Sequence, residues 1–308
     1  MKLWLDKPYH SLDYDMKATF GEKLYRITLN AGLTCPNRDG TLGDRGCTFC
    51  SVQGSGDFAG DKRLSITEQL ANGKLSLANK RGVNSYIAYF QAFTNTYGDV
   101  ATLESLYLEA IQDEQVKILS IATRPDCLEG HVLDLLERMN KIKPVWIELG
   151  LQTIHETTAH YIRRGYSLPI FEEKVKILQN MGIPVIAHVI LGLPGETKGM
   201  MLETIDFLNQ LRVDGIKLSL LHILKDTDLA VEYERNPFWV PTLEEYLELL
   251  GECIGRLDPN ITIHRLTGDG PKDLLIAPLW TTAKRTVLNT LHRYLKENHI
   301  WQGKEYYE

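Results

Sequence analysis

Residues 31–56 read AGLTCPNRDGTLGDRGCTFCSVQGSG. The stretch holds three of the chain's five cysteines, Cys35, Cys47 and Cys50, spaced C-x11-C-x2-C. A loop so rich in Gly, Asn and Asp can turn through positive φ and wrap an object instead of packing a core. Cys47 and Cys50 can place both sulfurs on one metal-sized centre, and Cys35 can swing in from the loop's far limb. A structural zinc site is almost always closed by four Cys or His ligands. The flanking histidines are His10 and His131 and the next cysteine is Cys127, so a local fourth ligand is missing. Three thiolates and an open position suit a [4Fe–4S] cluster whose fourth iron is free to bind a small molecule. A zinc site is the alternative, and with it a zinc-binding adaptor without catalysis. An odd, sparse set of cysteines in 308 residues argues against a disulfide framework.

On either side of the loop the chain alternates. Lys23–Asn30 (KLYRITLN) patterns as a strand leading into the loop, and Ser65 N-caps a helix over 65–80. Strands are then predicted at Ser85–Phe90, Val116–Ala122, Val145–Leu151, Pro184–Leu191 and Gly215–Leu221, with helices between them. Apolar strands alternating with helices imply a parallel sheet with the helices outside. Polar residues recur at the strand ends: Cys35, Gln91, Arg124, Gln152, Glu196 and His222. In a (β/α) barrel that rim carries the chemistry. The expected fold is therefore α/β, a partial (β/α)6 TIM-type barrel over 25–224. An ordered N-terminal extension (1–24) precedes it, and a C-terminal α/β extension (225–308) follows. In that extension Thr242–Leu257 patterns as a helix, Ile261–Leu266 as a seventh strand and 282–298 as a further helix.

The composition, 44% apolar and 24% charged, permits a large core. The start Met1-Lys2-Leu3-Trp4-Leu5-Asp6 lacks the apolar run of a signal peptide, and no run approaches a membrane span, so a cytoplasmic protein is expected. The net charge of −6 argues against an all-over basic nucleic-acid binder. It leaves room for a local patch, and residues 271–304 gather Lys272, Lys284, Arg285, Arg293, Lys296 and Lys304. Cys127 and Cys253 fit buried thiols better than ligands.

With Phe49 before the last cysteine, the loop resembles the radical S-adenosylmethionine (SAM) superfamily, whose usual spacing is C-x3-C-x2-C. The longer first gap resembles the branch containing the Elongator catalytic subunit. Further matches are Ile121–Asp126 (IATRPD), Glu148–Thr153 (ELGLQT), Arg164–Ser167 (RGYS) and His188–Thr197 (HVILGLPGET). The opening, loop and C-terminal portions look most like the YtqA-like group, also called MnmL. The resemblance implies two cofactors, a [4Fe–4S] cluster on Cys35, Cys47 and Cys50, and SAM chelating the open iron. Their joint chemistry is reductive cleavage of SAM to a 5′-deoxyadenosyl radical that abstracts hydrogen from an inert C–H bond. It also implies SAM contacts. Phe49 would lie by the adenine, Gln91 or Thr94 by the amine, Gln152 or Glu148 by the ribose and Arg164 by the carboxylate, with the Gly192 and Gly195 backbones near adenine. Arg124 is a further candidate, and equally a structural ion-pair partner. The group's association with the tRNA wobble uridine implies action on carboxymethylaminomethyl-uridine, leaving an aminomethyl base for a separate methylase. A flavodoxin or ferredoxin would supply the electron. The main rival is a radical SAM oxidase of a small molecule, as in porphyrinogen oxidation.

Overall fold

The computed structural model describes residues 2–54, 56–80, 82–268 and 270–306, so the outer ends of both extensions lie outside the described residues. Helix α1 (Leu12–Phe20) precedes strand β1 (Leu24–Leu29). Then follow α2 (Ile66–Leu77), β2 (Ser85–Phe90), α3 (Val100–Ile111) and β3 (Val116–Thr123). Next come α4 (Gly130–Ile142), β4 (Val145–Gln152), α5 (Glu156–Tyr161) and α6 (Leu168–Asn180). After β5 (Val185–Leu191), α7 (Lys198–Leu211) and β6 (Gly215–Leu220), the extension adds β7 (Ile223–Leu224), α8 (Asp228–Arg235) and α9 (Leu243–Arg256). Strands β8 (Thr262–Arg265) and β9 (Leu275–Ala277) and helix α10 (Lys284–Glu297) complete it.

The expected six β/α strands are present, and β8 joins them as a seventh. The sheet order is β1-β2-β3-β4-β5-β6-β8, with every neighbouring pair parallel. The sheet curls into an open half-barrel with helices on its outer face, and β7 and β9 form a separate antiparallel pair. Cap chemistry starts the helices where the sequence predicts. Ser65 and Glu68 form a reciprocal capping box on α2, and Thr242 and Glu245 form another on α9.

Alternation along the strands divides the residues between two cores. Ile27, Leu29, Ala88, Phe90, Leu119, Ile121, Ala187, Val189, Ile216 and Leu218 face outward under the helices. The inner face is stacked in layers. At the N-terminal ends of the strands, Leu24, Ile87, Ile118, Trp146 and Ile186 surround Met16 of α1, with Leu12 and Phe20 beside it. The N-terminal extension is thus a plug for the barrel floor. A hydrogen-bonded clasp holds it: Gln302 N donates to Pro8 O at 2.8 Å, and His10 N donates to Gln302 Oε1 at 2.8 Å. Met16→Ala is expected to cost about 2–5 kcal/mol, read by denaturant unfolding. A cost under about 0.5 kcal/mol, the level of a surface substitution, would mean that α1 is not a plug.

Candidate active site

The second inner layer is polar. Glu148 sits at its centre, fully buried, accepting from Ser120 Oγ (2.9 Å) and hydrogen-bonded to His188 Nε2 (2.7 Å). Lys217 Nζ is ion-paired to the same carboxylate, Arg26 Nη2 lies 3.3 Å from it, and Lys217 Nζ also donates to Tyr89 OH at 3.2 Å. Burial opposes ionisation of Glu148, but the Lys217 and Arg26 charges and the His188 hydrogen bond outweigh it and hold the carboxyl well below its usual range. Burial, reinforced by Lys217, pushes His188 down to about 4, so the imidazole is neutral near pH 7.

Above this layer the strand ends open into two adjoining cavities. The smaller, ≈ 280 Å³, is lined by the three cysteines of the 31–56 loop together with Phe49, Thr94, Arg124, Gln152, Arg164, Tyr166 and, from below, Tyr89, Glu148 and His188. All three cysteines are free thiols. Their loop is pinned at several points. Arg38 Nη2 donates to Cys50 O (3.2 Å) and Ser51 O (2.6 Å), Asn37 Nδ2 to Arg163 O (2.7 Å), and Leu229 N of α8 to Thr48 O (3.0 Å). Two glycines make the close packing possible. A Cβ on Gly46 (φ +74°) would meet the Arg38 guanidinium at 2.8 Å, and one on Gly54 (φ +62°) the Phe93 ring at 2.9 Å. A hydrogen bond with the Cys50 thiol, aided by the Arg124 charge, brings Cys47 down to about 7. No three Cys, His, Asp or Glu side chains among the described residues converge on a single-ion site. Three thiols spread round a cavity fit a cluster, which gives each thiolate its own iron, better than one zinc.

Most of the sequence-predicted residues meet here, in differing states of engagement. All three nitrogens of Arg164, which is 1% exposed, are already hydrogen-bonded, to Tyr166 O, Leu151 O, Thr153 O and Glu156. Arg124 forks onto Asp126 (3.0 and 2.7 Å) while its Nη1 lies 3.9 Å from Cys35 Sγ. Gln152 holds a left-handed φ of 62° at the end of β4, and Tyr166 OH donates to its Oε1 at 3.1 Å. Such backbone outliers gather at ligand sites. Gln91 faces the larger cavity instead. Gly192 and Gly195, both at positive φ, form the turn between β5 and α7 and line neither cavity. Cys127 and Cys253 are buried, and burial pushes both thiols up to about 12.

The larger cavity, ≈ 820 Å³, shares Phe49, Cys50, Gly54, Ile190 and Ser219 with the smaller one. Its outer wall is Gly270–Asp273 with Leu224, where β7 and β9 meet, and Lys284 from the start of α10. Sequence reading missed Tyr89, Lys217 and Arg265, which lie in no motif, and Tyr166, which lies within the RGYS match but was given no role. The inward parity of β2 and β6 was the available signal for Tyr89 and Lys217.

Fold and site together define a half-barrel protein with a thiol-lined cavity adjoining a larger one at the strand C-termini. Residues 38–208 match the radical SAM superfamily model, and residues 213–297 match the radical SAM C-terminal domain. The chain belongs to the radical SAM superfamily, and its cofactors are accordingly a [4Fe–4S] cluster and SAM. It is 41% identical to the YtqA protein of Bacillus subtilis, over 97% of this chain and 93% of that one. It is 39% identical to the YhcC protein of Escherichia coli K12, over 96% and 95%. The tRNA uridine(34) acetyltransferase of Methanocaldococcus jannaschii is 22% identical over 66% of this chain and 37% of its own. In structure the chain resembles the archaeal Methanocaldococcus infernus Elp3, with a TM-score of 0.70 at 14% identity, over 91% of this chain and 64% of the other. No helix among the described residues is long and apolar enough to cross a membrane.

Proposed function

We propose that the protein is a tRNA-modifying enzyme acting at the wobble uridine, on 5-carboxymethylaminomethyl-uridine. Hydrogen abstraction from the carboxymethyl methylene, loss of one further electron to an oxidised flavodoxin or ferredoxin, and hydrolysis of the resulting imine would release glyoxylate and leave an aminomethyl base. The observation that carries this reading is the ≈ 820 Å³ cavity adjoining the thiol cavity, lined by Arg265, Lys272 and Lys284. Such a volume accommodates a base extruded from its stack. Lys284 opens α10, whose Val287, Leu291 and Leu295 face the core while Arg285, Arg293 and Lys296 are exposed. A cationic helix leading away from a cavity suits a phosphate backbone. The relative that acts on tRNA uridine 34 supports the same substrate class.

Bound together, the cluster and SAM would supply the hydrogen-abstracting radical. Cys35, Cys47 and Cys50 would hold the cluster. Phe49, Thr94 and Gln152 would line SAM. Arg124 would place positive charge beside both groups, and Phe49 and Ile190, common to both cavities, would keep water from the reacting carbon. The reducing electron would come from a flavodoxin or ferredoxin, and a methylase would act on the product. Mass spectrometry of tRNA nucleosides from cells lacking the protein tests the reading. Accumulated carboxymethylaminomethyl-uridine is the expected result, and an unchanged nucleoside profile would overturn it.

A further inference from the structure

The seventh strand carries a distortion that serves the larger cavity. Thr262 pairs with Gly215 and Ile263 with Ile216, but Lys217 then faces Arg265, with His264 as the extra residue. Such a bulge re-aims side chains that alternation would send to opposite faces. His264 remains on the inner face, its Nδ1 2.7 Å from Arg26 Nη2 and its ring 5.4 Å from that of Trp146. Arg265, adjacent in sequence, also points inward, half-buried, and lines the ≈ 820 Å³ cavity.

Among the described residues Arg265 has no hydrogen-bond or ion-pair partner, although Lys217, His188 and Tyr89 all lie within reach of its charge. Glu148, the carboxylate of the layer below, is already shared by Arg26, Lys217 and His188. Asp57 and Asp273 also line the cavity, but neither carboxylate is ion-paired to Arg265, and both Asp57 oxygens accept from Ser51 Oγ, at 3.0 and 3.1 Å. A half-buried cation without a partner has lost part of its hydration with nothing in exchange. An anion arriving with the substrate would offset that loss.

We propose that Arg265 is the anion clamp of the substrate cavity, gripping through its planar N–H fork an anionic oxygen group carried by the substrate. A carboxylate and a phosphate both match the fork. The inference rests on the wobble-uridine reading for the substrate's identity. There the carboxylate would be the base's carboxymethyl group, and the phosphate that of the extruded nucleotide.

The test titrates the cluster- and SAM-loaded protein, anaerobically by calorimetry, with two probes. One is 5-carboxymethyluridine, which has a carboxylate and no phosphate, and the other is uridine 5′-monophosphate, with the reverse. Wild type is expected to bind at least one of them. Arg265→Gln should weaken that binding by about tenfold or more, and Arg265→Lys, keeping the charge without the fork, should fall between. The responding probe names the source of the anion. Cluster absorbance of each variant reports an intact barrel, and Arg265→Lys decides the matter if the glutamine variant does not fold. Equal affinities in wild type and variant for both probes, or no binding of either to wild type, would overturn the clamp. The nucleoside experiment fails or succeeds independently. Unchanged tRNA with Arg265-dependent anion binding would remove the wobble-uridine reading and leave the clamp standing.

Discussion

Cys47→Ala is expected to yield a protein that holds no stable four-iron cluster and no longer cleaves SAM on reduction. Iron per chain should fall from about four towards zero, and the brown absorbance with it. The expectation comes from the loop's construction. Cys47 lies in its most constrained part, with Asn37 Nδ2 donating to its sulfur at 3.5 Å and Arg163 O 3.6 Å away. Asn37 also binds Arg163 O, so the sulfur's position is set by the β4–α6 connection as well as by its own loop. No neighbouring thiol can replace it. Cys127 is buried in the short helical turn after β3, and Cys253 is inside α9 under the core. Cys127→Ala and Cys253→Ala should therefore retain iron and colour, which separates loss of a ligand from loss of any cysteine. A Cys47→Ala protein with full iron and full SAM cleavage would overturn the assignment. A colourless wild type holding one zinc would instead restore the adaptor reading.

Much of this was legible in the chain itself, for identifiable reasons. The strands are apolar runs ending in Gly, Pro or polar residues, and α2 and α9 start at capping boxes, so local chemistry fixes their positions. The cysteine spacing marks a cofactor loop whatever the surrounding fold. The N-terminal plug was less legible, because Met16, Leu12 and Phe20 identify a helix face but not the barrel floor it fills. Arg265 was hidden for a different reason. Alternation along Ile261–Leu266 predicts opposite faces for His264 and Arg265, and only the bulge against Lys217 brings both inward. The engagement of Arg164 by three backbone carbonyls was hidden too, since such partners leave no trace in side-chain pattern.

The buried layer beneath the cavities should dominate stability. Glu148→Gln is expected to destabilise the fold by about 3–5 kcal/mol, because it leaves Lys217 and Arg26 facing a neutral amide in a site without water's screening. Removing both main partners should cost less than the two single losses added together. In Glu148→Gln/Lys217→Met one buried cation and its counterion disappear together, and the residual charge is that of Arg26, with 17% of its side chain exposed. The pH dependence carries the same signature. Folded Glu148 titrates well below the ordinary glutamate value of 4.5, so its contribution is fully present above that value. It falls away as pH drops through 4.5 towards the folded-state pKa. Wild type should therefore lose stability on the acid side faster than Glu148→Gln, and the gap between them should narrow as pH falls. Denaturant unfolding at pH 7 and at pH 4 measures both effects. Parallel acid limbs, or a double variant as costly as the sum of the singles, would show that Glu148 is not the counterion holding this layer together. His188 bears on the same point from the cavity side. It is hydrogen-bonded to Glu148 and neutral near pH 7, so losing the carboxylate removes the partner that fixes its ring orientation beside the thiol cavity.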